Sequence, residues 1–321
     1  MKRLIEFKQV QKIYGKKYAI KGLNFSIDEG EIFVLVGPSG SGKTTSLKMI
    51  NGLSEPNNGE ILFKGKSLRE YDLQKIRWKM GYVLQQIALF PTMTVQQNIE
   101  VIPDMLGWER KKREQVADQL LEKVGLDPAI YRNRMPQELS GGEQQRIGII
   151  RALAANPEVI LMDEPFSALD PLSRNSLQDL VLSLHQELGT TIVFVTHNMD
   201  EAIKLGNRIA VMKDGEIIQC DHPEQLLTHP KNDFVRSFFD DTLQQKRQTV
   251  KEIILAKCFS ESHIQPNLPE VQFGTPLNEV FELFIQSEAV NVRENGEFIG
   301  GITRKDIFTF LTRKEGKNEK I

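Results

Sequence analysis

Residues 37–45 read GPSGSGKTT, and this stretch constrains the chain more than any other. It lies between the apolar run IFVLV (32–36) and TTSLKMI (44–50), which has the look of a helix. A short apolar run bounded by turn residues fits a buried strand. Glycines in the following loop let backbone N–H groups converge on one point without Cβ clashes. The next helix adds its free N-terminal N–H groups and the positive end of its dipole. Gly37, Gly42, Lys43 and Thr44 stand at the G-x-x-x-x-G-K-[ST] spacing, so the stretch reads as a phosphate cradle. Lys43 would bring positive charge to the β- and γ-phosphates, and the Thr44 hydroxyl would ligate Mg²⁺.

That loop alone leaves kinases, GTPases, motors, repair ATPases and transporters open. VILMDEPF (159–166) is a second buried-strand pattern, ending in two adjacent carboxylates. Two acids at the end of an apolar strand are costly unless something positive pairs with them. Mg²⁺ is the natural partner for Asp163, and Glu164 is then placed to orient and deprotonate an attacking water. TTIVFVTH (190–197) is a third apolar run, with His197 at its end. Its strand end should share an edge of a parallel sheet with the phosphate loop, where ligands bind in such folds, which makes His197 a γ-phosphate contact. Gln85, after MGYVL, could reach both Mg²⁺ and the water, although Gln86 is next to it and either could be a surface residue.

LSGGEQQR (139–146) narrows the class. Ser140, Gly141 and Gly142 open a helix, so a hydroxyl, small residues and a helix N-terminus make a second anion site. One chain then has two phosphate sites and needs one nucleotide. A head-to-tail pair resolves this: each signature helix caps the ATP held by the other chain's phosphate loop.

With these motifs in order, the chain resembles the nucleotide-binding subunits of ABC transporters over residues 1 to about 240. The matching segments are Walker A (37–44), the Q-loop Gln85, the signature (139–143), Walker B (159–163), Glu164, the D-loop SALD (167–170) and His197. The resemblance implies an α/β P-loop NTPase fold, with a RecA-like mixed sheet core and an inserted α-helical subdomain at about 87–155. It implies that Tyr14, in KIYG, stacks on adenine, with Tyr18 the lesser candidate. It implies that the loop residues Gly37, Ser39, Gly40, Ser41, Gly42, Lys43, Thr44 and Thr45 wrap the phosphates. Thr44, Gln85 and Asp163 would hold the metal, Lys43, Gln85, Glu164 and His197 would carry hydrolysis, and Asp170 would communicate across the dimer. FPTMTVQQNI (90–99) would dock a membrane partner, with Phe90, Pro91 and Met93 open to a plain core reading instead. The segments 74–99 and 134–157 resemble, more closely, the ATPase subunits of importers for quaternary amines: glycine betaine, proline betaine, carnitine or choline. The transported molecule never touches such a subunit, and importers of other small metabolites share much of this text. The resemblance implies ATP and Mg²⁺ as cofactors, a homodimer, integral membrane permeases, a solute-binding protein in the same complex, and a place on the cytoplasmic face of the membrane.

Bulk properties agree with that reading. At 321 residues two domains are the prior. The net charge of −2 and the absence of a strong basic stripe speak against a nucleic-acid partner. ERKKRE (109–114) reads as the solvated side of a helix, and Val116, Leu120, Leu121 and Val124 as its apolar side. A soluble ABC ATPase acting on DNA or ribosomes would carry coiled-coil insertions, tandem cassettes or basic arms. Cys220 and Cys258 are far apart and read as packing thiols in a reducing compartment. The N-terminus lacks the apolar region of a signal peptide, and no apolar run approaches the ~20 residues that cross a bilayer.

After residue 239 the composition changes. DDTLQQKRQTVK (240–251) suits a linker, 252–313 a second small α+β domain, and 314–321 a charged tail. TPLNEVFELFIQ is a capped amphipathic helix, AVNVRENGEFIGGI an Asn-Gly hairpin, and TRKDIFTFL a helix opening at Thr303. This β-β-α ending resembles one CBS module, a motif that senses adenosyl ligands or ionic strength, or else a dimer-stabilising appendage without a ligand. Thr303 and Asp306 fall at places where such modules contact a ribose.

Overall fold

The structure, a computed structural model, describes residues 2–85, 88–167, 169–239, 249–256, 259, 268–284, 287–294, 296–307 and 309–310. The chain divides into two compact units, Met1–Arg236 and Ser237–Ile321.

The first unit opens with β1 (Arg3–Tyr14) and β2 (Lys17–Asp28), an antiparallel hairpin that runs from Arg3↔Asp28 to Tyr14↔Lys17. After β3 (Ile32–Val36) and α1 (Lys43–Ile50), β4 (Asn58–Phe63) returns to pair with β1, and β5 (Lys66–Ser67) pairs with β4. This sheet has the order β2-β1-β4-β5. The second sheet is built from β6 (Met80–Val83), which follows the short α2 (Leu73–Arg77), and from strands further along. These are β7 (Val159–Asp163), β8 (Thr191–Thr196), β9 (Arg208–Lys213) and β10 (Glu216–Asp221). Its order is β10-β9-β3-β8-β7-β6, parallel except for the β9–β10 hairpin. That hairpin turns at Asp214-Gly215, both at positive φ, as a two-residue turn with right-handed strand twist requires. Every residue of β3, β7 and β8 is buried, which is why these strands read as unbroken apolar runs rather than as alternation. The two sheets share one core, in which Phe7, Phe25 and Phe33 stack with centroids 4.3 and 5.4 Å apart.

Between β6 and β7 the chain is helical: α3 (Val95–Met105), α4 (Arg110–Lys123), α5 (Pro128–Tyr131) and α6 (Gly141–Leu153). Thr94 and Gln97 close a capping box on α3. The buried face of α4 is Ala117, Leu120 and Leu121, continued by Val124. Leu120, Leu121 and Val124 are buried as expected, while Val116 is only half-buried and Ala117 takes its place on the buried face. Ala117 is small, and a reading that weighs large side chains passes over it. ERKKRE is not uniformly solvated either: Arg113 turns inward to Glu100 and Asp104. The unit continues through α7 (Pro171–Leu188), α8 (Met199–Leu205) and α9 (Pro223–Thr228).

In the second unit, α10 (Val250–Leu255) is followed by β11 (Glu270–Gln272), α11 (Leu277–Leu283), β12 (Ala289–Glu294) and β13 (Glu297–Thr303), with helical residues again at 304–307. The sheet order is β11-β12-β13, parallel and then antiparallel. Of the expected linker, 240–248 lie outside the described residues, as does the tail at 314–321. Val250 is fully buried in this unit's core, so packing begins inside a segment whose polar composition hides a single core residue. Thr303 and Asp306 close a capping box on the last helix: the Thr303 hydroxyl donates to Asp306 at 2.7 Å and accepts from its N–H at 3.2 Å. Cys220 is half-buried, and Cys258 lies outside the described residues. Among the described residues no helix is long and apolar enough to cross a membrane.

Candidate functional site

The loop after β3 is shaped by two glycines. At Gly37 (φ +157°) a Cβ would come within 2.2 Å of the Met212 carbonyl oxygen. At Gly42 (φ +105°) it would come within 2.6 Å of Ile20 Cδ1 and 2.8 Å of the Ala19 carbonyl oxygen. The backbone therefore curls over a cleft of about 370 Å³ lined by Ser39, Gly40, Gly42, Lys43, Thr44 and Thr45, together with Tyr14 and Glu164. Gly37 and Ser41 do not line it; they lie beneath, where the Ser41 hydroxyl is buried without a hydrogen-bond partner.

Lys43 is the first residue of α1 and is buried. Its Nζ donates to the carbonyls of Gly37 at 2.7 Å and Pro38 at 3.0 Å, which holds the ammonium along the loop. Burial pushes its pKa below the ordinary lysine value, while Glu164 and Asp163 pull it back up. Thr44 Oγ1 donates to Asp163 Oδ1 at 2.8 Å, across 119 residues of sequence. Burial raises the Asp163 pKa, and the Thr44 hydrogen bond lowers it. A hydroxyl and a carboxylate brought together this way form an all-oxygen pair suited to a hard divalent cation.

Glu164, just past β7, adopts φ +45°, a left-handed conformation that a non-glycine residue holds only when its surroundings enforce it. Its N–H donates to the Val195 carbonyl at 3.0 Å, which locks it against β8. Its Oε2 lies 3.1 Å from His197 Nδ1 and 3.4 Å from Gln85 Nε2. Gln85, Glu164 and His197 thus converge from the ends of three neighbouring strands, on the edge that also carries Lys43 and Thr44. Gln86 lies outside the described residues.

Tyr14 reaches the cleft rim, its hydroxyl 3.3 Å from Ser54 Oγ and Lys12 Nζ 5.2 Å from its ring centroid. Tyr18 does not line the cleft. Lys17 and Ala19 do, and sequence reasoning missed them. Their signal was the Gly15 turn, which carries β2 back past Tyr14.

Ser140, Gly141 and Gly142 stand apart from this cleft. Ser140 is the N-cap of α6, in a capping box with Glu143: its hydroxyl donates to Glu143 Oε2 at 2.8 Å. Tyr131 donates to the other Glu143 oxygen at 2.6 Å, and this bond leads in holding that carboxyl below its ordinary range. Ser140 and Gly141 are exposed, as is Asp170, the N-cap of α7, which accepts from the N–H groups of Leu172 and Ser173. Ala168, in the D-loop, lies outside the described residues.

Phe90 and Pro91 are exposed, which removes the core reading for both. Met93 helps to line an 870 Å³ groove with Gln97, Glu100, Asp104 and Arg113. Two residues unmarked by sequence reasoning hold this region. Asn98, fully buried, accepts from Phe90 N–H and donates to the carbonyls of Phe90, Met93 and Thr94. Arg151 in α6 donates to the Ala88 carbonyl at 2.6 Å.

Lys43→Ala is expected to weaken nucleotide binding by about 10- to 100-fold, the worth of a charge-assisted contact. Titration with a fluorescent ATP analogue measures this; an unchanged affinity would remove Lys43 from the cradle.

Comparison with known proteins agrees with this geometry. The ABC transporter family profile matches residues 20–167. The chain is 44% identical over 291 residues to the osmoprotectant import ATP-binding protein OsmV of Salmonella typhimurium, covering 90% of this chain and 75% of that one. It is 49% identical over 252 residues to the glycine betaine/carnitine/choline transport ATP-binding protein OpuCA of Bacillus subtilis, covering 78% of this chain and 66% of that one. Among solved structures, a dimeric post-hydrolysis state of the ATP-binding cassette MJ0796 bound to ADP and Pi superposes with a TM-score of 0.62. It is 36% identical and covers 68% of this chain and 99% of that one. A phosphate loop, a strand-end carboxylate pair, a facing histidine and a separate signature helix thus meet in one cassette, and the chain belongs to the ATP-binding subunits of the ABC transporter family.

Proposed function

We propose that this chain is the ATP-hydrolysing subunit of an ABC importer, energising uptake of a quaternary amine osmoprotectant through partner membrane permeases. The observation that carries the catalytic half is the convergence of Gln85 and His197 on Glu164, beside the Thr44–Asp163 pair. The substrate class rests on the likeness to OsmV and OpuCA, whose names give osmoprotectant import and glycine betaine, carnitine and choline transport.

In this reading the loop N–H groups and Lys43 hold the phosphates, and Tyr14 stacks on the base. Thr44 and Asp163, with Gln85, which lies against Glu164, would hold Mg²⁺, and the ion would neutralise charge developing on the phosphates. Glu164 orients the water and takes its proton, and His197, 3.1 Å from Glu164 Oε2, contacts the γ-phosphate. Ser140 and its glycines do not line their own chain's cleft, which supports a homodimer in which each signature helix caps the other chain's nucleotide. Losing the γ-phosphate contacts reopens that dimer, a local charge change with a global readout. The exposed Phe90–Pro91 segment and the groove beside it are where a permease would dock, on the cytoplasmic face of the membrane. A solute-binding protein would deliver the substrate from the other side. The cassette would span 1–239 and the regulatory or dimerisation domain 252–313. The β-α-β-β-α order of the second unit supports a single CBS-like module. An importer of another small metabolite would use the same cassette.

Reconstitution with the permeases tests this: ATP-dependent uptake of betaine, carnitine or choline is expected. ATP hydrolysis that drives none of these, but does drive another solute, would overturn the substrate assignment.

A further inference from the structure

Beside the cleft lies a buried carboxylate that hydrolysis as described leaves unused. Glu201, in α8, is 5% exposed. A carboxylate this buried is costly unless it is partnered. Its Oε2 accepts from the Thr196 hydroxyl at 2.6 Å, and its Oε1 lies 3.9 Å from Arg174 Nε. That Nε is itself buried and makes no hydrogen bond, so the Glu201 charge is what compensates it. The other end of the guanidinium donates, through Nη2, to the Leu169 carbonyl at 3.0 Å.

These contacts join two segments that the site needs in register. Thr196 immediately precedes His197, and Leu169 immediately precedes Asp170 in the D-loop. The Thr196 hydroxyl also accepts from the Asn198 N–H at 3.0 Å, and the Asn198 side chain accepts from the Glu201 N–H at 3.2 Å. His197 is therefore flanked on both sides by residues tied to Glu201. Apolar packing alone would hold α7 against α8 at least as well, since replacing a buried ion pair by hydrophobic side chains is often neutral or stabilising. What an ion pair can add to such packing is direction.

We propose that Glu201 and Arg174 are positioning residues, a charged strut that holds the His197 turn and the D-loop in one fixed relation while ATP is hydrolysed. Neither lines the nucleotide cleft. The proposal rests on reading that cleft as an ATPase site.

The test is steady-state hydrolysis and ATP binding by the full chain carrying Glu201→Gln, Arg174→Met, or both. Misplacement of reacting groups by about an ångström costs on the order of 100-fold, so each single variant is expected to lose roughly 10- to 100-fold in kcat. KM and the Kd for ATP should stay within about twofold, a split that a general loss of folding would not produce. The double variant, which leaves no buried charge unpaired, should be no slower than the slower single variant, because the two residues act as one unit. If either single variant destabilises the chain by leaving a buried charge unpaired, the double variant, which leaves none, still reads the strut. An Arg174→Met chain with the parent's kcat, or losses that multiply in the double variant, would overturn the strut alone. A parent chain that bound no ATP would overturn the ATPase reading and the strut together.

Discussion

Glu164→Gln should lower kcat for ATP hydrolysis by about 10²- to 10⁴-fold, the usual contribution of a positioned general base, with ATP binding retained. The substitution is nearly isosteric. The glutamine keeps the backbone bond from residue 164 to the Val195 carbonyl, because the φ of +45° belongs to the turn and not to the carboxylate. Its amide can still meet His197 and Gln85. What it cannot do is accept a proton from water at neutral pH. In the proposed homodimer ATP then stays intact, and its γ-phosphate goes on holding two protomers together. Size-exclusion chromatography with ATP should show a long-lived dimer of the variant, where the parent returns to monomer as hydrolysis proceeds. Turnover at the parent's rate would mean that another group takes the proton.

Gly37→Ala should abolish nucleotide binding at micromolar ATP and destabilise the cassette by about 2–4 kcal/mol, in the range where a steric clash with backbone cannot be relaxed. The reason is geometric. The new methyl would sit 2.2 Å from the Met212 carbonyl oxygen and 2.9 Å from Ser41 Oγ, and neither the end of β9 nor the loop can move without disturbing the other. The Gly37 carbonyl also receives the Lys43 ammonium, so a shift of the loop drags the phosphate-binding charge with it. Thermal unfolding and ATP titration check the two halves separately. Gly40→Ala is the control: its Cβ would meet nothing within 4 Å, although its φ of +79° still carries strain. It should lose less on both measures. Equal behaviour of the two variants would remove the backbone-contact argument.

Much of the site was legible because its chemistry is local. A phosphate cradle needs glycine spacing, a lysine and a hydroxyl within nine residues, and those cannot be disguised. Buried parallel strands need apolar side chains on both faces, so Ile32–Val36, Val159–Asp163 and Thr191–Thr196 stood out as runs. The β9–β10 hairpin carries a local signal of the same kind in its Asp214-Gly215 turn, since few residues accept positive φ, whereas Asn295 of the expected Asn-Gly turn lies outside the described residues. Periodicity was less dependable. On α4 it pointed to Leu120, Leu121 and Val124, which are buried, and to Val116, which is only half-buried while Ala117 is fully buried.

By itself, then, the amino-acid sequence determined which apolar runs become buried strands, where the glycine-rich loop lies, and that Ser140 opens a helix. Only the tertiary structure decided which strands are neighbours: β3 lies between β9 and β8, with β7 and β6 beyond. That order brings Thr44 to Asp163 and places His197 and Gln85 on either side of Glu164. It also brings Lys17 to the cleft and Glu201 to Arg174, pairs that no local pattern announces. The physical reason is that side-chain pattern along a chain records which faces avoid water, while the partner each face meets is chosen by packing among segments distant in sequence.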